Sequence, residues 1–333
     1  MSTERMFPFQ LKSPVSLAEV AALLAAEPDS KLLAGGTDLL PNMRRGIERP
    51  LVLIELGRVA ALGEIAFGGD EASLGAGVTI SRLARDATIA RRFPAIAQAA
   101  ASIAGPAHRS AATVGGNLCL DTRCVFYNQS EWWRETNEYC LKRGGTVCHV
   151  APQGNRCHAA FSGDLAPALI ALDARVELVA ARGTRRVALA DLYRDDGAAH
   201  LTITRDEVLA RVTIPSQPPG SVSGYRKARV RGAMDFPMAG VACRLALRDD
   251  GTVGDLRLAL TGTNARPLLL AGTEELLSAP VGDEWLARLA KLVQKQVSPM
   301  RTSTIHSNHR RQVASVLAQR LANELAGISE KRP

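Results

Sequence analysis

Five of the six cysteines fall within 39 residues, Cys119, Cys124, Cys140, Cys148 and Cys157, and only Cys243 stands apart. The window 124–161 also holds Phe126, Tyr127, Trp132, Trp133, Tyr139 and Phe161, six of the fourteen aromatics. The chain around it is rich in Ala, Leu and Val. A stretch so different in composition reads as an insertion with its own small structure. In a reducing compartment such a cluster points to metal ligation rather than to disulfides. Cys124, Cys140, Cys148 and Cys157 are separated by 15, 7 and 8 residues. Structural zinc usually shows a Cys-x₂₋₄-Cys pair, and common ferredoxin loops use short spacings. Neither pattern fits, although Cys119-x₄-Cys124 lies at the edge of the zinc range. Spacing alone leaves four thiolates able to converge, names no metal, and leaves reduced structural cysteines as the alternative. His149 and His158 each follow a cysteine and could also ligate by chemistry alone.

The rest of the composition excludes several classes. A chain of 333 residues has room for two or three domains, and 46% hydrophobic with 22% charged residues is ordinary for a folded protein. No apolar run reaches the roughly 18–20 residues of a membrane helix. The N-terminal Met-Ser-Thr-Glu-Arg-Met-Phe-Pro lacks the apolar centre of a signal peptide. A cytoplasmic protein without a membrane partner is expected. The net charge is +8, but the basic residues are spread out, with one short cluster at Arg226–Arg231. No basic stripe or reading motif for nucleic acid is present. A phosphate-bearing cofactor accounts for some of that charge more simply.

Local signals predict an α+β chain. Ser16-Leu-Ala-Glu19 is a capping box before a helix at Val20–Ala26. Strands are expected at Lys31–Ala34, Leu51–Leu56 and Ala72–Gly77, with helical turns at Leu39–Arg44 and Ser81–Asp86. An alanine-rich helix over about 95–104 is stopped by Gly105-Pro106. Ser162-Gly-Asp164 opens another helix. Arg175–Ala180 and Arg186–Leu192 read as a hairpin, followed by a strand at Val208–Ile214. The proline-rich stretch Pro215–Pro219 marks the best domain boundary. Beyond it, strands are expected at Tyr225–Arg231, Val241–Arg248 and Asp255–Leu260. Val241, Cys243, Leu245 and Leu247 alternate onto one face, and Cys243 reads as a core thiol. Helices follow at about 273–296 and 308–326, the second with Ser307 as N-cap.

Two glycine-rich turns, Leu33-Ala-Gly-Gly-Thr-Asp38 and Ala112-Thr-Val-Gly-Gly-Asn117, stand out. Paired glycines admit close approach of a ligand to the backbone, and consecutive N–H groups form anion-binding concavities. Each pair alone is most simply a tight turn. Two of them could hold a pyrophosphate between them. Neither fits Gly-x-Gly-x-x-Gly or the P-loop.

At these residues the chain resembles the flavin-binding subunit of the xanthine dehydrogenase and carbon monoxide dehydrogenase family of molybdenum enzymes. Leu32-Leu-Ala-Gly-Gly-Thr-Asp-Leu-Leu40 resembles the family's first FAD loop and Thr113-Val-Gly-Gly-Asn117 the second. Ser162-Gly-Asp164-Leu-Ala-Pro-Ala-Leu169, Asp206-Glu-Val-Leu209 through Ile214-Pro215, and Tyr225-Arg-Lys227 match later elements. The implied architecture is a two-part FAD-binding domain over 1–219, with lobes at about 1–58 and about 59–219. A smaller α+β C-terminal domain of the CO dehydrogenase flavoprotein type would follow over 220–333. The insertion, at about 122–161, is similar to that of one subgroup, the beta subunit of 4-hydroxybenzoyl-CoA reductases. Asp121-Thr-Arg-Cys124, Tyr127-Asn-Gln-Ser130 and Cys148-His149 carry that likeness.

The resemblance implies a set of roles. Lys31, Leu32, Leu33, Ala34, Gly35, Gly36, Thr37 and Asp38, with Thr113, Val114, Gly115, Gly116 and Asn117, would hold FAD through the backbone. Ile103 would pack near the flavin, Asp164 would accept a hydrogen bond from FAD, Leu209 would line the pocket and Lys227 would contact the cofactor. Cys124, Cys140, Cys148 and Cys157 would ligate a [4Fe-4S] cluster. Cys119, near the second loop, matches no ligand position, and His149 and His158 would be outer or surface residues. Electrons would pass from a low-potential donor such as ferredoxin through [4Fe-4S] and FAD. They would go on to [2Fe-2S] clusters on a small subunit and a molybdenum cofactor on a large one, in a dimer of heterotrimers. That complex would remove the phenolic hydroxyl of 4-hydroxybenzoyl-CoA. The open alternatives are a related molybdenum hydroxylase with another substrate and a flavoprotein whose cysteine loop holds structural zinc.

Overall fold

Ser16 starts the first helix as its side chain requires. Its Oγ accepts from the Glu19 N–H at 3.2 Å, and Val20, Ala21 and Leu24 of α1 (Leu17–Ala26) turn inward. The strands β1 (Gln10–Lys12), β2 (Ser30–Leu33) and β3 (Val52–Glu55) form a parallel sheet in the order β1-β3-β2. Parallel neighbours need crossovers. α1 carries the chain from β1 to β2, which flank β3, and α2 (Leu39–Arg44) joins the parallel neighbours β2 and β3. The structure is a computed structural model and describes residues 6–327. The first five residues of the N-terminal stretch and the last six of the expected C-terminal domain lie outside the described residues.

The second lobe opens with β4 (Ile65–Gly68) and β5 (Glu71–Gly75). Five short helices follow: α3 (Ile80–Arg85), α4 (Ala87–Arg92), α5 (Pro94–Ser102), α6 (Pro106–Ala111) and α7 (Val114–Leu118). After the insertion, which carries α8 (Glu131–Thr136), come α9 (Leu165–Ala171), β6 (Arg175–Ala180), β7 (Gly183–Ala188) and β8 (Val208–Ile214). The sheet is antiparallel, in the order β4-β5-β8-β6-β7. Every residue of α9 is buried, so this helix sits between layers rather than on the surface.

The C-terminal part has β9 (Val222–Ala228), β10 (Ala239–Leu247), β11 (Val253–Thr261) and β12 (Leu268–Leu269) in the antiparallel order β12-β11-β10-β9. α10 (Asp283–Gln296) and α11 (Ser307–Leu325) complete it. The two faces of β10 serve two cores, as period-two alternation demands. Val241, Cys243 and Leu245 face the core shared with α10 and α11. Ala242 joins the large core that runs through both lobes of the first domain.

Several boundaries depart from the sequence reading. The strand expected at Arg186–Leu192 runs over Gly183–Ala188, and Leu189–Leu192 wind into a 3₁₀ turn that buries Leu189 and Leu192. A register shift between Ala246 and Leu247 turns Leu247 away from its expected partners, leaving it 39% exposed. The helix expected over 273–296 is broken into a 3₁₀ turn at Thr273–Leu276 and α10. Pro280 lies in the gap, where its ring disfavours helix. Gly105-Pro106 does end α5, but Pro106 also opens α6 at the first helical position. The cap of α11 is His306, whose Nδ1 accepts from the Asn308 N–H at 3.3 Å, and Ser307 is already helical. Among the described residues no helix is long and apolar enough to cross a membrane.

Candidate functional site

Both glycine loops open onto one cleft of about 550 Å³, within the usual range for cofactor pockets. The first loop leaves β2 and enters α2; the second caps α7, where the Thr113 Oγ1 accepts from the Gly116 N–H at 3.1 Å. Close approach explains the glycines. A Cβ on Gly35 would lie 2.0 Å from the Ala111 carbonyl oxygen, and one on Gly115 2.8 Å from the Ala76 Cβ. Asn117 ties the second loop to α9, its Oδ1 accepting from the Leu165 N–H at 3.0 Å.

The cleft is lined by 31–38 apart from Leu33, by 113–117 apart from Val114, and by Ile103, Asp164 and Leu209. Val114 instead belongs to the core. Lys227 does not reach the lining. It is buried behind Asp164, with Nζ 2.9 Å from the Asp164 Oδ2 and 3.3 Å from the Ser102 carbonyl. The Tyr225 hydroxyl donates to the Asp164 Oδ1 at 2.5 Å. Burial pushes the Asp164 carboxyl up, against the opposing pull of Lys227 and Tyr225. Strand β9 thus completes the site from the other domain.

Sequence reasoning missed some of the lining. Met234, Asp235 and Phe236 cover part of the cleft from the loop after β9. Asp121 and His200 line the side towards the insertion. His200 holds its Nε2 3.0 Å from the Leu120 carbonyl, and burial lowers its pKa to about 4. Cys119 also lines the cleft, and burial pushes its thiol up to about 12. In the sequence, Cys119 is marked only by its proximity to the second glycine loop, and Asp121 only as the first residue of the Asp121-Thr-Arg-Cys124 motif.

The insertion leaves and returns through one antiparallel bridge, in which Arg123 and Ala160 exchange backbone hydrogen bonds of 2.9 and 2.8 Å. An ion pair between Arg123 and Asp38 fastens this neck to the first glycine loop. Ser130 caps α8 at the Trp133 N–H. Phe126, Trp133 and His149 pack against one another in tilted and edge-on contacts, with ring centroids 5.6–6.3 Å apart.

Cys124, Cys140, Cys148 and Cys157 all line one small cavity inside the insertion, together with Phe126, Leu141, Lys142 and His149. All four are free thiols, and three are buried. Burial pushes the Cys124 thiol up, while the Phe126 and Tyr127 N–H groups, which donate to it, pull it down. Burial likewise takes Cys157 to about 11, opposed by the Ala159 N–H and by Lys142. His149 lines the cavity but holds its Nε2 2.7 Å from the Tyr139 carbonyl. His158 is only half-buried, and Cys243 is a core thiol of the C-terminal domain. Among the described residues no three His, Cys, Asp or Glu side chains are placed to hold a metal ion.

Cleft, glycine loops and two-domain order define a flavin-binding subunit. Residues 7–217 match the FAD binding domain in molybdopterin dehydrogenase, and 223–325 match the CO dehydrogenase flavoprotein C-terminal domain. The chain belongs to this family, the FAD-binding subunits of xanthine dehydrogenase and CO dehydrogenase type molybdenum enzymes. It is 28% identical to the xanthine dehydrogenase FAD-binding subunit of Escherichia coli O157:H7, over 93% of each chain. It is 32% identical to the aldehyde oxidoreductase FAD-binding subunit PaoB of Escherichia coli K12, over 78% of this chain and 83% of that one. In fold it is similar to the carbon monoxide dehydrogenase from Hydrogenophaga pseudoflava that lacks the Mo-pyranopterin moiety. There the TM-score is 0.79 at 23% identity, covering 97% of this chain and 99% of that chain.

Proposed function

We propose that this chain is the electron-input subunit of a molybdenum-containing 4-hydroxybenzoyl-CoA reductase, with FAD in the cleft and a [4Fe-4S] cluster in the insertion. The observation that carries the reading is the gathering of Cys124, Cys140, Cys148 and Cys157, from four separate loop positions, around one cavity. A single zinc ion needs its sulfurs drawn in to about 2.3 Å from one centre. A four-iron cluster offers four separate irons to four thiolates, which matches the number of cysteines lining the cavity. When bound, FAD exchanges electrons singly or in pairs and the cluster exchanges one at a time.

The chain's own residues supply the setting. The four thiolates hold the cluster, and the N–H groups of Phe126, Tyr127 and Ala159 donate to Cys124 and Cys157. Phe126 and His149 add aromatic rings to the cavity wall. The two glycine loops would hold FAD through their backbone N–H groups, and Asp164, braced by Tyr225 and Lys227, would accept a hydrogen bond from it. The donor is a one-electron carrier such as ferredoxin, whose acidic surface the +8 net charge favours. The partners are a small [2Fe-2S] subunit and a large molybdenum subunit, assembled as a dimer of heterotrimers. On the large subunit two electrons and two protons convert 4-hydroxybenzoyl-CoA to benzoyl-CoA and water.

The test is the assembled complex, supplied with reduced viologen or ferredoxin and assayed for benzoyl-CoA. The wild-type complex releases it. Cys140→Ser keeps its flavin and loses most of the rate with ferredoxin. An equal rate in the variant would remove the electron-input role. The 32% identity to an aldehyde oxidoreductase subunit favours a second reading, a complex that oxidises aldehydes. Turnover of an aromatic aldehyde, with none of the thioester, would establish it.

A further inference from the structure

One buried ion pair spans the two sites. Lys142 lines the four-cysteine cavity. Its side chain is 5% exposed, and its Nζ lies 2.6 Å from the Asp121 Oδ1, 2.5 Å from the Thr122 Oγ1 and 2.8 Å from the Gly197 carbonyl. All three ammonium protons are therefore used. The Nζ also stands 4.8 Å from the centre of the Tyr127 ring. Asp121 lines the cleft on the other side. The partition between the sites thus contains a directed ion pair, its positive end towards the cysteines and its negative end towards the cleft.

Resting on the reading above, we propose that the Lys142–Asp121 pair sets the difference in reduction potential between the two sites. Lys142 is the one lysine or arginine in the wall of the cysteine cavity. A four-thiolate cluster carries net negative charge, and a fixed cation near it favours the reduced form and raises its potential. A fixed carboxylate at the cleft disfavours added negative charge on the flavin and lowers its potential. The pair acts through both centres without touching a reacting atom, as a positioning residue does. Low dielectric in the partition strengthens its effect over that of a surface ion pair.

The experiment is anaerobic redox titration of the full chain, with iron counted, the cluster followed by EPR and the flavin by absorbance. Lys142→Met lowers both midpoints, and the iron–sulfur centre moves more. Asp121→Asn raises both, and the flavin moves more. Lys142→Arg returns the midpoints towards wild type. If Lys142→Met fails to assemble, Asp121→Asn decides alone, because it leaves Lys142 in place. Midpoints unmoved in variants that keep iron and flavin would overturn the inference while leaving the cluster reading intact. A wild-type chain reconstituted without iron would overturn the cluster reading itself.

Discussion

At Gly35 the approach of two segments leaves no volume for a side chain. The Ala111 carbonyl oxygen would stand 2.0 Å from an added Cβ, and backbone cannot yield as a flexible side chain can. Gly35→Ala should therefore push the first loop off the second, costing about 1–3 kcal/mol as overpacking does, and release flavin. The absorbance ratio of flavin to protein and the thermal midpoint check this. A variant with full flavin and an unchanged midpoint would contradict it. Residues like Gly35 are legible in sequence because a Gly-Gly pair beside a predicted strand is a local signal. Asp121, Lys142 and Asp235 are not, because each gains its meaning from a group brought in by tertiary folding. Lys142 reaches back 21 positions to Asp121, and no periodicity records that distance.

Elements were read well where one physical cause set both ends. β8 runs over Val208–Ile214 as expected, bounded after Ile214 by proline, which cannot extend a ladder. The β6–β7 hairpin was misplaced because Gly183, at φ 135°, belongs to the strand end rather than to a longer turn. Glu207 fastens the turn end of this hairpin to the start of β8. Its carboxylate takes Arg185 at 2.6 and 2.8 Å, Arg182 at 3.1 Å and the Thr204 N–H at 2.9 Å. Hydrogen bonding from Arg185 is the main reason its pKa falls from 4.5 to about 2. The folded state therefore binds fewer protons than the unfolded state between these values. This contribution is complete above pH 4.5 and is lost as pH falls towards about 2. Glu207→Gln should cost about 1–2 kcal/mol near neutral pH, since the arginines are partly exposed. Its deficit relative to wild type should shrink on acidification through that window. Urea unfolding at several pH values measures both; a pH-independent deficit would contradict the assignment.

Across the whole molecule, the site is a joint product of its domains. The core of the first domain takes in Tyr225, Ala242 and Ala259 from the C-terminal sheet, and Tyr225 and Lys227 brace Asp164. The insertion is equally integrated: the Val125 N–H donates to the Thr302 carbonyl at 2.9 Å, and the Cys157 N–H to the Asp196 Oδ1 at 3.1 Å. Spacing could not name what four cysteines at 15, 7 and 8 residues hold, because loops of that length close in many ways. The proposed cluster rests on their convergence on one cavity. The direct measurement is EPR of the anaerobically purified, dithionite-reduced chain, with iron and zinc counted on the same sample. The account predicts about four irons per chain and the signal of a reduced [4Fe-4S] centre. Zinc in place of iron, with no cluster signal, would contradict it and leave a flavin subunit with a structural loop.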